Sequence, residues 1–356
     1  MKLTLNKDEF IAAAKSANLI TISTELTMDL DTPVSIYYKL VGDKKGYIME
    51  SVDTTQQQFG RYSFIGGEPF VRVQVFADKL LINENGLMKS ITGAPHDTMK
   101  AYAAHFTPAV TDEETLPLVH GGLAGYFTYE TAATFDRVRG VEIGAEELLG
   151  QFMMCRYLVV YDALKNSAHL HYLADVREGD DAGELYDAVT ERLAAMRARL
   201  AAPFTPPAAA ESRRKEPVDF MARYGKAPAS FLHTIDTIKE HIYAGDIFQA
   251  VPSFRFREKI TRPAFLFYRR LRQVNPSPYM FYYNFGEVKL VGASPEMLIK
   301  VSSSTVYTYP IAGTRKRGKT DEEDALLALD LRSDEKECAE HAMLVDLARN
   351  DLGRIS

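Results

Sequence analysis

The chain has 356 residues, of which 46% are hydrophobic and 25% charged, and a formal net charge of −6, a profile of a soluble globular protein with room for two domains or one large one. That balance argues against a nucleic-acid-binding or membrane-surface protein, since only short runs such as Arg213-Arg214-Lys215 and Arg315-Lys316-Arg317 are basic. The apolar runs, such as Tyr157 to Tyr161, fall short of the ~18 residues of a membrane span, and MKLTLNKDEF has no signal-peptide core, so a cytoplasmic protein is expected.

Cys155 and Cys338 are the only cysteines and lie far apart in sequence, which predicts two reduced thiols and neither a disulfide framework nor a zinc set. From Lys39 to Leu81 the pattern is strand-like. Tyr47-Ile48-Met49 lies between turn residues, and Val71-Arg72-Val73-Gln74-Val75 alternates with the period of a half-buried strand. Arg156 to Tyr161 and His169 to Leu173 predict a hairpin around the turn Asp162 to Ser167, with His169 and His171 on one sheet face. Glu184 to Leu200, rich in Ala, Leu, Arg and Glu, predicts a helix. The proline-bearing stretch 201–217 then reads as an extended connection between a first region, 1–200, and a second, 218–356.

In the second region, Phe231, Ile235, Ile238 and Ile242 have helical spacing and Gly245 stands where a C-cap belongs. Phe248 to Phe256, Met280 to Phe285, Val288 to Val291, Met297 to Val301 and Val306 to Tyr309 read as successive short strands, with Pro252 at an edge or strand end. Glu322 to Leu331 and Ser333 to Arg349 read as helices. The succession predicts an α+β fold of antiparallel sheets packed with helices.

Four groups in this region can carry chemistry. Glu337 and Glu340, three apart on a helix, share a face and offer the hard oxygen ligands that suit Mg2+; the alternative is a solvated acidic face. Glu296, directly after the turn Gly292-Ala293-Ser294-Pro295, is a candidate general acid or a plain exposed turn residue. Gly313 allows close backbone approach to a ligand and Thr314 offers a hydroxyl. Gln249, in Gly245-Asp246-Ile247-Phe248-Gln249, is a neutral amide that either orients a ligand or is satisfied by backbone.

Taken together and in this order, GDIFQ, GASPE, PIAGT and DEKECAEHAMLVDLARNDLGR resemble the signatures of the chorismate-utilising enzymes. TPVSIYYKL, YIMESVD, GRYSFIG and GGLAGYFTYE extend the resemblance to the N-terminal region of the anthranilate synthase component I family. The resemblance implies that 1–200 is the regulatory region and 218–356 the first part of the chorismate-binding catalytic domain, the fold being incomplete at the C-terminus. It implies conversion of chorismate and ammonia to anthranilate and pyruvate, the first committed step of tryptophan biosynthesis. Ammonia would come from a separate glutamine amidotransferase subunit, component II.

Isochorismate- and salicylate-forming members carry a lysine where Gln249 stands, as the base that activates water. Aminodeoxychorismate synthases carry a nucleophilic lysine where Ala312 stands. Both differences point to anthranilate synthase. The alternatives are an aminodeoxychorismate synthase component, or an inactive remnant that binds tryptophan or a partner. By the same resemblance Glu296 protonates the leaving hydroxyl, Gly313 and Thr314 contact substrate, Glu340 binds Mg2+ directly and Glu337 supports it through water. Glu50-Ser51 and Pro278-Tyr279-Met280 resemble the two sides of a pocket for L-tryptophan, the feedback inhibitor.

Overall fold

The computed structural model describes residues 1–52, 60–109, 121–136, 138–205, 229–253 and 255–356. Their contacts define two units, Met1–Pro206 with Phe267–Ser356, and Pro207–Leu266. Most of the connection expected at 201–217 lies outside the described residues.

In the first unit the strands are β1 (Leu19–Thr27), β2 (Gly46–Glu50), β3 (Tyr62–Val75), β4 (Lys79–Glu84), β5 (Leu87–Thr92), β6 (Leu123–Phe127), β7 (Gly150–Asp162), β8 (Ser167–Asp175), β9 (Tyr279–Asn284) and β10 (Lys289–Ser294). They form a ten-stranded sheet in the order β1-β8-β7-β3-β2-β9-β10, with β6 paired to β7, β4 to β3 and β5 to β4. Every ladder between them is antiparallel. A separate ribbon joins β11 (Lys300–Ser302) to β12 (Thr305–Tyr307).

The alternation read at Val71 to Val75 is realised in β3, where Val71, Val73 and Val75 are buried with Leu80, Ile82 and Leu149 on one face. On the other face Tyr47, Met153, Cys155, Leu158 and Tyr283 form a second cluster. A residue of register is taken up between Pro69 and Val71, beside Glu68 at φ 54°, a bulge that bends the long strand. The predicted hairpin is β7–β8, and the rings of His169 and His171 do stack on one face, 6.0 Å apart. Lys39 and Leu40, read as strand-like, instead end a helix, because Thr32 and Pro33 open one there.

That helix is α2 (Pro33–Leu40), with Thr32 accepting from Ser35 N at 3.2 Å. α1 (Lys7–Ala13) starts from a reciprocal capping pair of Asn6 and Glu9, and α3 is Pro95–Ala103. α4 (Ala182–Ala201), capped by Asp181, realises the predicted helix and buries Val189, Leu193, Met196 and Leu200 along one stripe. It packs against α1, α2 and β8. α5 (Ala229–Ala244) lies in the second unit and ends at Gly245, φ +81°, as read. α6 (Ala264–Val274) was not anticipated. α7 (Asp321–Ser333) and α8 (Glu335–Gly353) match the last two predicted helices, separated by Asp334.

The strand expected over Phe248 to Phe256 does not form among the described residues, nor does the edge role of Pro252. Phe248 and Val251 are 87% and 86% exposed, and an apolar run without a neighbouring strand has no ladder to join. β11 and β12 are also shorter than read.

Two glycines hold the sheet's centre. A Cβ on Gly66 would come within 2.4 Å of the Tyr47 ring, and one on Gly67 within 2.1 Å of the Tyr157 hydroxyl. Tyr157 is thereby free to donate to the Leu40 carbonyl at 2.9 Å, joining sheet to α2. Gly67→Ala is expected to destabilise by about 1–3 kcal/mol, read as a lower urea midpoint at unchanged m-value. Burial pushes the Cys155 thiol far up, whereas Cys338 is exposed. Native-state iodoacetamide should therefore label Cys338 alone, with Cys155 reacting only after denaturation, as mass spectrometry would show.

Candidate functional site

Two clusters in the first unit gather residues singled out from the sequence. The first is built on β2. In its ladder with β9, Glu50 faces Met280 and Met49 faces Phe281, and Val52 N–H extends the pairing to the Ser277 carbonyl at 3.1 Å. The register therefore sets Glu50-Ser51 beside Pro278-Tyr279-Met280. Met280 is buried, Pro278 and Tyr279 half-buried.

Glu50 is only 5% exposed, and an isolated buried carboxylate is costly. α6 supplies its partners. Tyr268 Oη donates to Oε2 at 2.5 Å, Arg272 Nη2 donates to Oε1 at 2.9 Å, and Arg272 Nε lies 2.9 Å from Oε2. Burial still holds the Glu50 carboxyl above its ordinary range, against the lowering effects of Arg272 and Tyr268. Next to it the Ser51 hydroxyl oxygen is buried with no hydrogen-bond partner among the described residues, which marks a place where a polar ligand atom would be welcome. Tyr279 is shifted up by burial, with Tyr309 adding to it. Tyr268 and Arg272 were missed from sequence; their i, i+4 spacing in AFLFYRRLRQV was the available signal.

The second cluster surrounds α8. Asp334 caps it, accepting from Glu337 N at 3.1 Å. That bond, then Arg315, holds the Asp334 carboxyl below its usual range. Arg315 binds Asp330 and Asp334 at 2.7 Å each and approaches Glu337 at 3.5 Å, and its pKa is driven up by the first two bonds. Gly313, φ +77°, lies against the same helix: a Cβ there would come within 3.1 Å of Glu337 Oε2. Gly313 and Glu337 are thus brought together, with Thr314 exposed on the adjoining backbone and Glu340 half-buried one turn along α8.

Glu296 stands apart in its own turn after β10, exposed, with Ser294 Oγ accepting from its N–H at 3.3 Å and donating to its carbonyl at 3.0 Å. Gln249 belongs to the second unit. There α5 and the Gly245 turn deliver it, braced by His241 Nδ1 to Asp246 Oδ2 at 2.8 Å.

Hard carboxylate oxygens three residues apart on one helix suit Mg2+, which keeps several waters and takes few protein ligands. Glu337 and Glu340 fit that chemistry, although Glu337 shares its charge with Arg315. Among the described residues no group of three or more His, Cys, Asp or Glu is arranged to hold a metal.

The model of the chorismate binding enzyme family matches residues 54–356. Anthranilate synthase component 1 of Neisseria gonorrhoeae is 39% identical over 99% of this chain and 71% of its own. The protein of that name from Pseudomonas putida is 35% identical over the same shares, 99% and 71%. The crystal structure of anthranilate synthase component I from Streptococcus pneumoniae superposes with a TM-score of 0.63 at 30% identity, over 93% of this chain and 68% of that one. The menaquinone-specific isochorismate synthase of Escherichia coli, at 14% identity and a TM-score of 0.51 over 96% of this chain and 66% of its own, shares the fold. A match across this much of both chains shows that the chain belongs to the chorismate-binding enzymes, in the anthranilate synthase component 1 family.

Proposed function

We propose that the protein is the large subunit of an anthranilate synthase, turning chorismate and ammonia into anthranilate, pyruvate and water. The observation that carries this is the likeness to anthranilate synthase component 1 along 99% of the chain. Gln249 and Ala312 agree with it. An amide cannot accept a proton, and ammonia, already a nucleophile, needs no base. An alanine methyl cannot attack the ring, so ammonia does so directly at C2.

In this reading Glu296 protonates the departing C4 hydroxyl, which leaves as water. Loss of the enolpyruvyl group as pyruvate then yields the aromatic amine. Gly313, at φ +77°, and Thr314 hold the substrate. Glu340 would hold Mg2+ directly with Glu337 supporting it through water, and the chemistry supplied there would be positive charge against a substrate carboxylate. Ammonia is delivered by a glutamine amidotransferase subunit. No described helix is long and apolar enough to cross a membrane, in keeping with a cytoplasmic enzyme.

L-tryptophan acts as feedback inhibitor through Glu50, Ser51, Pro278, Tyr279 and Met280. The orphan Ser51 hydroxyl and the buried Glu50 carboxylate support this. Inhibition requires that tryptophan bind a less active arrangement better than the active one.

With chorismate, Mg2+ and ammonium, protein expressed from the whole reading frame should develop anthranilate fluorescence. Glu296→Gln should lower kcat about 10²–10⁴-fold in protein that still unfolds cooperatively. Aminodeoxychorismate accumulating in place of anthranilate would overturn the assignment. Tryptophan at about a hundredfold its dissociation constant should stabilise the protein by about 2.7 kcal/mol, and Glu50→Ala should abolish that gain in a thermal-unfolding assay. Equal stabilisation of the variant would place the effector elsewhere.

A further inference from the structure

At the far end of the β2–β9 ladder from Glu50 lies a cavity of about 410 Å³, whose lining includes Lys45, Arg72, Gln74, Gln151, Phe152 and Phe285. Cross-strand register explains its polar wall. Arg72 faces Asn83 on β4 and Met153 on β7, and Gln74 faces Leu81 and Gln151, so Arg72, Gln74 and Gln151 share one side of the sheet. Gln151 Oε1 accepts from Tyr126 Oη at 3.4 Å, which leaves its amide N–H groups to donate.

The wall opposite is the β9–β10 hairpin, and it is fixed. Asn284, 3% exposed, donates to the carbonyls of Asp43 at 3.1 Å and Lys44 at 2.9 Å, and accepts from Gly286 N at 3.0 Å. The turn carrying Lys45 is thereby tied to the hairpin. The Lys45 stem lies across Gly286, where a Cβ would come within 2.9 Å of Lys45 Cε.

Lys45 and Arg72 are both half-buried, and among the described residues neither makes a hydrogen bond or a close ion pair. Burial and then Arg72 depress the Lys45 pKa, with only the exposed Glu287 at the rim opposing them. The nearby Lys289 is committed to the Gly286 carbonyl at 2.7 Å. Two neighbouring cations drawn partly out of water, with only an exposed carboxylate close by among the described residues, destabilise each other, and an anion between them would reverse the sign.

We infer that this cavity binds a compact, doubly charged oxyanion, with the Arg72 guanidinium forking two of its oxygens, the Lys45 ammonium as a second positive contact, and the amides of Gln74 and Gln151 donating to the remainder. Phosphate and a small dicarboxylate share that chemistry. The site is independent of the chorismate and tryptophan sites proposed above.

The test is thermal unfolding and calorimetry of the full chain with inorganic phosphate or malonate, at ionic strength held constant with chloride. Saturable stabilisation by either is expected. Response to phosphate alone, or to malonate alone, tells which source the site prefers. Arg72→Gln and Lys45→Gln should each weaken it at least about tenfold, while Arg317→Gln, a change at an exposed residue, should not. Because neither cation makes a hydrogen bond or close ion pair among the described residues, both variants should unfold at or above the parent's midpoint in chloride alone. No saturable response to either anion, an unchanged response in Arg72→Gln, or a fall in that variant's midpoint without anion would overturn the proposal.

Discussion

The pairing of β2 with β9 is the constraint on which the rest of the molecule depends. β2 is a short strand held between β3 and β9, and its register joins residues more than two hundred positions apart in the chain. One ladder therefore decides three things. It makes Glu50 and Met280 neighbours, it brings the Asn284 side chain to the Asp43–Lys44 turn, and it carries β10 into the sheet begun by the first half of the sequence. Glu50 can be buried at this junction only because α6, immediately before β9, supplies Tyr268 and Arg272. A buried carboxylate without such partners would cost more than the surrounding apolar contacts return.

A second arrangement of charge organises the segment around Gly313. One guanidinium, Arg315, gathers Asp330, Asp334 and Glu337, and Asp334 at the same time starts α8 by capping it. The helix, its first carboxylate and the Gly313 backbone are thereby fixed together. Glu337 approaches Arg315 at 3.5 Å, and Glu340 lies a turn further along the same helix.

The sequence was most legible where one face of an element is buried and its partner is local. The alternation at Val71 to Val75, the β7–β8 hairpin, α4 and the Gly245 cap all follow from side-chain period and turn chemistry. The strand read at Phe248 to Phe256 failed for the converse reason: alternation states a preference, but a strand exists only where a neighbour completes its ladder. α2 was hidden by apolar residues that suit either state, although Thr32-Pro33 is a helix start. The family was legible as four motifs in order. The contacts around Glu50 and Gly313 were not, because the β2–β9 register and the Arg315 ion pairs are set by residues distant in sequence, and Tyr268 and Arg272 belong to no motif.

The electrostatics of the Glu50 junction also limits what can bind there. A carboxylate has about four acceptor positions; hydrogen bonds from Tyr268 Oη and Arg272 Nη2 engage two of them, and Arg272 Nε lies 2.9 Å from Oε2 as an ion-pair contact without a hydrogen bond. A ligand ammonium would therefore join this network rather than replace it. Glu50 and Arg272 together are neutral, so a ligand of net positive charge would leave an uncompensated charge in a buried setting, and a simple anion would find Arg272 already engaged. A zwitterion adds no net charge. Its ammonium can use an acceptor position that Tyr268 and Arg272 leave, and its carboxylate can take a donor such as the Ser51 hydroxyl, whose oxygen is buried and otherwise unpartnered among the described residues. On the reading proposed for this pocket, charge alone would favour an amino acid there, before any side-chain contact is considered.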